Sequence, residues 1–406
     1  MLKIWNKIIH YPRIGLVILA YVAFIALGMP DGLLGVAWPS IRTDFSIPLD
    51  AIGLLLPVTV AGYMTSSFFS GPIVSRFGVG RVLAASCVLT AAGLIGYTLV
   101  PAWWMMVSLG ILAGLGAGAI DAGLNTYAAA HFGENLMQWL HASYGIGVTL
   151  GPIIMTVALS RWASWHLGYR VVGGFQIALA ICFVFTLAMW NRKENSSGVN
   201  ESKSLTDYKT PMKATLRLPR AWLSAILFML YCGTEIALGT WIYSLLVESR
   251  GIDATIAGLF AGSYWAMFTA GRVTAGIYAK RIGNHALIAG GLAGASIGTL
   301  LLILNPSKAA NLIAVALIGF SIAPIFPALM SGTSRRVGES DAANTIGMQM
   351  AATGLGGAVI PSVLGVLARR FSLEIVPTVL LMILLILFGL YQLSMASRME
   401  VQESVI

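Results

Sequence analysis

Runs of about 20 apolar residues, separated mostly by short polar turns, recur from one end of this sequence to the other, and each is long enough to cross a hydrocarbon layer about 30 Å thick. They fall near 14–39, 50–73, 81–100, 104–130, 138–160, 170–190, 222–247, 255–279, 285–305, 311–333, 343–368 and 374–396. Lipid offers a backbone amide no partner, so every such run must satisfy its own hydrogen bonds as a helix. An all-α polytopic membrane protein of twelve transmembrane helices is the expected fold class. Composition agrees: 57% of the 406 residues are hydrophobic and 10% charged, against roughly 25% charged in a soluble domain.

The 25 Lys and Arg against 16 Asp and Glu would suit a nucleic-acid binder, but their placement argues otherwise. Most fall in alternate loops, including Lys3, Lys7, Arg13, Arg76, Arg81, Lys280 and Arg281. The sparser set at the other ends includes Arg42, Arg161, Lys308 and Arg370. Such asymmetry is the positive-inside rule, so both termini are expected in the cytoplasm, in a plasma (inner) membrane, with no nucleic acid as partner. The basic N-terminus leads into a long run without a convincing cleavage site, which reads as an uncleaved first span. Cys87, Cys182 and Cys232 lie in apolar runs without CxxC spacing, so neither disulfides nor a metal site are expected. Asn195 and Asn200 fit the glycosylation pattern by chance, in a loop assigned to the cytoplasm.

One long polar stretch, 191–220, is rich in Ser, Asn and Lys and reads as a cytoplasmic linker between six spans in 1–190 and six in 221–406. The halves echo each other. Gly71-Pro-Ile-Val-Ser75-Arg76-Phe-Gly78 returns as Gly276-Ile-Tyr-Ala-Lys280-Arg281-Ile-Gly283, and Asp31 with Leu34-Gly35 returns as Glu235 with Leu238-Gly239, about 205 residues later in each case. A duplicated six-helix unit follows, an organisation common in secondary transporters.

A carboxylate at the bilayer centre costs about 2.5–3.5 kcal/mol on insertion scales, so an acid within a span normally faces a polar cavity. Three qualify, Asp31, Asp121 and Glu235, and all three are candidate proton carriers, although an acid can also bond a neighbouring helix or pair with a buried arginine. Asn125, one turn beyond Asp121, sets an amide beside a carboxyl for a hydroxylated ligand. Gln349, flanked by Thr345 and Thr353, offers the same donors, or serves as interhelical glue. Sugars also present apolar ring faces, so Tyr231, Trp241 and Trp38 are candidate stacking partners, with the interfacial aromatic belt as the competing reading. Arg76 and Arg281 in the repeated turns, and Arg272 near the end of its span, are gating candidates, Arg272 lying within reach of the surface by snorkelling. His141 opens the fifth span at a position that looks interfacial, so a relay role is the less favoured one. Gly294-Ala-Ser296-Ile-Gly298 spells a hydrolase elbow and Gly114-Leu-Gly116-Ala-Gly118-Ala119 part of a dinucleotide loop, but neither follows a strand, and helix packing accounts for both. No enzyme and no cofactor are expected, the proton being the coupling ion.

The repeated turn resembles the Gly-x-x-x-Asp-Arg-x-Gly loop of the major facilitator superfamily, with Ser75 and Lys280 where that family carries Asp. Asp31-Gly-Leu-Leu-Gly-Val-Ala-Trp38-Pro39, Asp121-Ala-Gly-Leu-Asn125, Gly271-Arg272 and Ser321-Ile-Ala-Pro324-Ile-Phe326-Pro327 are similar to segments of its fucose:proton symporter group. The resemblance implies that spans one, four, seven and ten line a central cavity, that Asp31 faces the sugar, and that Asp121 is coupled to proton movement. The expected function is proton-coupled uptake of a sugar or similar small polar solute by alternating access, with the chain acting as a monomer. A proton-linked drug or metabolite efflux antiporter and a non-transporting ligand sensor are the rivals.

Overall fold

The computed structural model describes residues 13–47, 51–190, 205 and 208–403. Most of the 191–220 linker, with Asn195 and Asn200, and the basic residues Lys3 and Lys7 lie outside the described residues. The chain divides into two compact units, one of Met1–Tyr127 with Leu140–Lys209, the other of Ala128–Trp139 with Thr210–Ile406. The division at 209/210 falls inside the expected linker. A short stretch, 128–139, that sequence order assigns to the first half packs with the second.

In the first unit, helix α1 spans Arg13–Asp44, α2 Ile52–Phe68, α3 Ser70–Phe77, α4 Val79–Tyr97, α5 Trp103–His131, α6 Glu134–Trp162 and α7 Trp165–Phe185, the end of α5 and the start of α6 belonging to the second unit. In the second, α8 covers Pro219–Ser244 and runs into a π turn, Leu245–Ser249; α9 Ala254–Ile282, α10 Asn284–Leu304, α11 Lys308–Ile322, α12 Ile325–Ser331, α13 Thr333–Val337, α14 Glu339–Arg370 and α15 Ile375–Glu403 follow. Among the described residues, ten spans are long and apolar enough to cross a membrane, and α2 with α3 makes an eleventh if that pair, bent by 54°, is one span. Helix α9 is 29 residues long; glycine, Ser263, Thr269 and Arg272 make it less apolar than its neighbours, and it is not among those spans.

Proline chemistry sets the breaks. Pro72 has no N–H to offer the carbonyl of Phe68, and the α2–α3 bend sits there. Pro324 does the same between α11 and α12. Gly78 and Gly283, which end the repeated turns, both adopt φ of +80°, a left-handed conformation that a Cβ disfavours. The motif's terminal glycine is therefore a backbone requirement. Large side chains such as Ile18, Leu54, Ile297 and Leu385 are exposed on the outside of their helices, as lipid rather than water demands.

Candidate functional site

Within the first unit, α5 lies against α2 through Gly110, Gly114 and Gly118, one turn apart. A Cβ on Gly114 would meet the Thr59 carbonyl oxygen at 2.0 Å, and one on Gly118 the Tyr63 carbonyl oxygen at 2.2 Å. That close approach places Asp121, one turn further along α5, within reach of α2. The Tyr63 hydroxyl donates to Asp121 Oδ2 at 2.5 Å. The Asn125 amide nitrogen donates to Asp121 Oδ1 at 2.7 Å, and Asn125 Oδ1 lies 3.0 Å from His141 Nε2 on α6. His141 packs edge-on against Phe24 of α1, ring centroids 5.3 Å apart. Asp121, Asn125 and His141 thus form a continuous hydrogen-bonded chain linking α2, α5 and α6.

Three residues along α6 from His141, the Tyr144 hydroxyl donates to Asp31 Oδ2 at 2.5 Å. Asp31 is exposed. One helix, α6, therefore holds both acids, the exposed one through Tyr144 and the half-buried one through His141 and Asn125. Hydrogen bonds of this kind fix the direction of the carboxyl groups that accept them. His141 is 5% exposed and inside the unit.

Glu235 lies in the second unit and has its own setting. Arg272 Nη2 stands 4.0 Å from Glu235 Oε2, and the guanidinium lies 4.2 Å above the Phe268 ring. Arg272 is 7% exposed; it turns inward to the acid and ring instead of snorkelling to the surface. Tyr264 donates to the Glu235 carbonyl oxygen at 2.9 Å, tying α9 to α8. Arg76 and Arg281 are exposed, and the Arg76 guanidinium lies 5.4 Å from the Phe77 ring.

The remaining candidates are engaged with protein. Gln349 is fully buried; its Nε2 donates to Ser224 Oγ at 2.6 Å and Thr333 Oγ1 at 3.0 Å. Tyr231 donates to the Ile322 carbonyl at 3.1 Å, and Trp241 Nε1 to the Pro361 carbonyl at 3.0 Å. Trp38 is 6% exposed in a core cluster, its ring 5.5 Å from Trp103. These are the contacts of helix-to-helix ties in the conformation described. Tyr63 and Tyr144 were not singled out from sequence; the one signal for them is that a tyrosine within an apolar run must find a partner for its hydroxyl.

The family model of the Major Facilitator Superfamily matches residues 20–361. Among curated proteins, the chain is 24% identical to "Bypass of stop codon protein 6" of Saccharomyces cerevisiae, over 92% of this chain and 82% of that one. It is 23% identical to "Sodium-dependent glucose transporter 1A" of Mus musculus, over 86% and 89%. A solved structure of the Escherichia coli fucose:proton symporter FucP superposes with a TM-score of 0.74 at 13% identity, covering 93% of this chain and 98% of that one; likeness at that identity speaks for the fold alone.

Proposed function

Because the chain belongs to the Major Facilitator Superfamily and is a multi-pass transporter, we propose that it takes up a sugar or similar small polyhydroxylated solute together with a proton, by alternating access. The observation that carries this reading is the Asn125 amide, bonded on one side to a carboxyl and on the other to an imidazole. Asp31, exposed, is the acid that meets solute hydroxyls; Asp121, enclosed by Tyr63 and Asn125, is the one that holds and releases the proton. A bare carboxylate moved through a low-dielectric barrier is costly, so protonation of Asp121 permits reorientation. Binding at Asp31 reaches Asp121 through α6, since Tyr144 and His141 share that helix. Glu235, already paired with Arg272, balances a charge in its own unit. The sugar transporter among its relatives supports the substrate class.

The test is uptake of a labelled sugar panel into proteoliposomes with and without an imposed pH gradient. Asp121→Asn abolishes gradient-driven accumulation while solute counterflow persists. Unimpaired accumulation by that variant rejects the proton role. Broad resistance to hydrophobic cations without sugar uptake favours export instead.

A further inference from the structure

At the end of the second unit where Gly283 and Gly338 make their turns, a cavity of about 210 Å³ is lined by residues the transport reading does not use. Its polar lining is Glu134, Asn284, His285, Arg335, Arg336 and Tyr391. Arg336 is 6% exposed, and its guanidinium bonds neutral groups, the Leu329 carbonyl at 2.6 Å and the hydroxyls of Thr333 and Ser224 at 3.2 and 3.3 Å. Among the described residues no carboxylate pairs with Arg336 or with exposed Arg335. Burial pulls Arg336 down to about 10, which still leaves it cationic near neutrality. A buried cation without an anion is costly.

A second observation comes from Asn284. Its Nδ2 donates to Ser331 Oγ at 2.7 Å, while the Ser331 hydroxyl donates to the Ala328 carbonyl at 3.3 Å. In this orientation the amide Oδ1 is buried with no donor. An unsatisfied buried acceptor costs about 1–3 kcal/mol and calls for a partner. Glu134 lines the same cavity but, among the described residues, pairs with neither arginine, so the site lacks an ion-pair partner for Arg336 and a hydrogen-bond donor for an amide oxygen.

We propose that this cavity binds a phosphate monoester. Its phosphoryl oxygens face Arg335, Arg336 and His285, and a P–OH or neighbouring ester-side hydroxyl donates to Asn284 Oδ1. A carboxylate offers no donor. Glu134 in the lining disfavours a second anionic group, and the volume lies below the ~300 Å³ at the lower end of drug-sized sites, so a polyphosphate does not fit. Guanidinium groups suit this geometry because their planar fork bonds phosphate oxygens in pairs. Two sources share the chemistry, a soluble phosphorylated metabolite and a lipid phosphate headgroup.

Calorimetry on the full chain in phosphatidylcholine nanodiscs, titrated with glycerol 3-phosphate and with inorganic phosphate, addresses the soluble source; nanodiscs containing phosphatidic acid, read by retention of that lipid, address the other. Saturable binding in the first arm alone identifies a soluble monoester, in the second alone a headgroup, and in both a site that takes either. Arg335→Gln, at an exposed side chain, weakens binding at least tenfold with unchanged thermal unfolding, and Asn284→Asp weakens it by placing a negative charge beside the ligand. Arg370→Gln, at the far end of α14, leaves it unaltered. No saturable binding in either arm, or equal affinity in the Arg335→Gln protein, overturns the proposal.

Discussion

At the scale of single residues, Asn125 is the group whose loss tells most. It is fully buried, and Asn125→Ala leaves Asp121 Oδ1 and His141 Nε2 each short of a partner, at about 1–3 kcal/mol for an unsatisfied buried group. Thermal unfolding of the purified protein is expected to fall accordingly, and solute affinity to drop at least tenfold because the Asp31 and Asp121 ends of α6 lose their common anchor. A loss of stability with affinity intact would reduce Asn125 to a structural tie. The three acids were legible in the sequence, since a carboxylate inside an apolar run stands out against its neighbours. Their partners were not. Tyr63 is 58 residues from Asp121 and Tyr144 is 113 from Asp31, and a tyrosine in a span reads the same whether its hydroxyl meets a carboxyl, a carbonyl or the headgroup layer. Gln349 illustrates the converse: an amide between two threonines looks like a ligand site, yet its partners, Ser224 and Thr333, lie on other helices that no local pattern reveals.

At the scale of elements, two contacts are open to test. The glycine seam of α5 sets how near α2 can come, so Gly118→Val pushes Tyr63 away from Asp121. The expected result is loss of gradient-driven uptake with cell-surface expression retained, and normal uptake would show that the seam does not hold the acid network. The second contact lies within the other unit. Glu374, in the turn before α15, accepts from Arg250 Nε at 2.9 Å and Nη2 at 2.6 Å, and Arg250 reaches on to Asn311 Oδ1 and the Leu302 carbonyl, both at 2.8 Å. These bonds hold the Glu374 carboxyl below its usual range. A carboxyl depressed in the folded state adds stability in full above its unfolded value near 4.3 and loses it as pH falls through the lower folded value. Unfolding temperature is therefore expected to carry a Glu374 contribution that is flat from pH 7 to 5 and disappears in more acidic buffer. Glu374→Gln removes that acid-side dependence and, with the side chain 43% exposed, costs about 1–2 kcal/mol rather than the larger figure for a buried pair. An unchanged acid profile in the variant would assign the dependence to other carboxyls.

At the scale of the whole molecule, the apolar runs made the helices legible because backbone hydrogen bonding in lipid leaves one solution. The places where sequence reading fell short are the bends. Pro72 and Pro324 stand inside single apolar runs, and each lies at a break that divides one run into two helices, α2 with α3, bent by 54°, and α11 with α12. The duplicated turn was informative for a physical reason, the shared positive φ of Gly78 and Gly283, which survives even where the acid between the glycines does not. Charge placement along these turns makes a prediction about orientation. Arg76, Arg81, Lys280, Arg281, Arg335 and Arg336 flank turns at one end of their units' helices, and the anionic inner leaflet and insertion machinery retain such residues on the cytoplasmic side. With the native cysteines replaced by serine, Ser340→Cys beside the Gly338 turn is expected to react with a membrane-impermeant maleimide in inside-out vesicles alone, and Lys308→Cys at the start of α11 in right-side-out cells alone, both positions being exposed. The reverse pattern would invert the molecule, place the Arg335–Arg336 cavity outside the cell, and deny it any intracellular phosphate monoester.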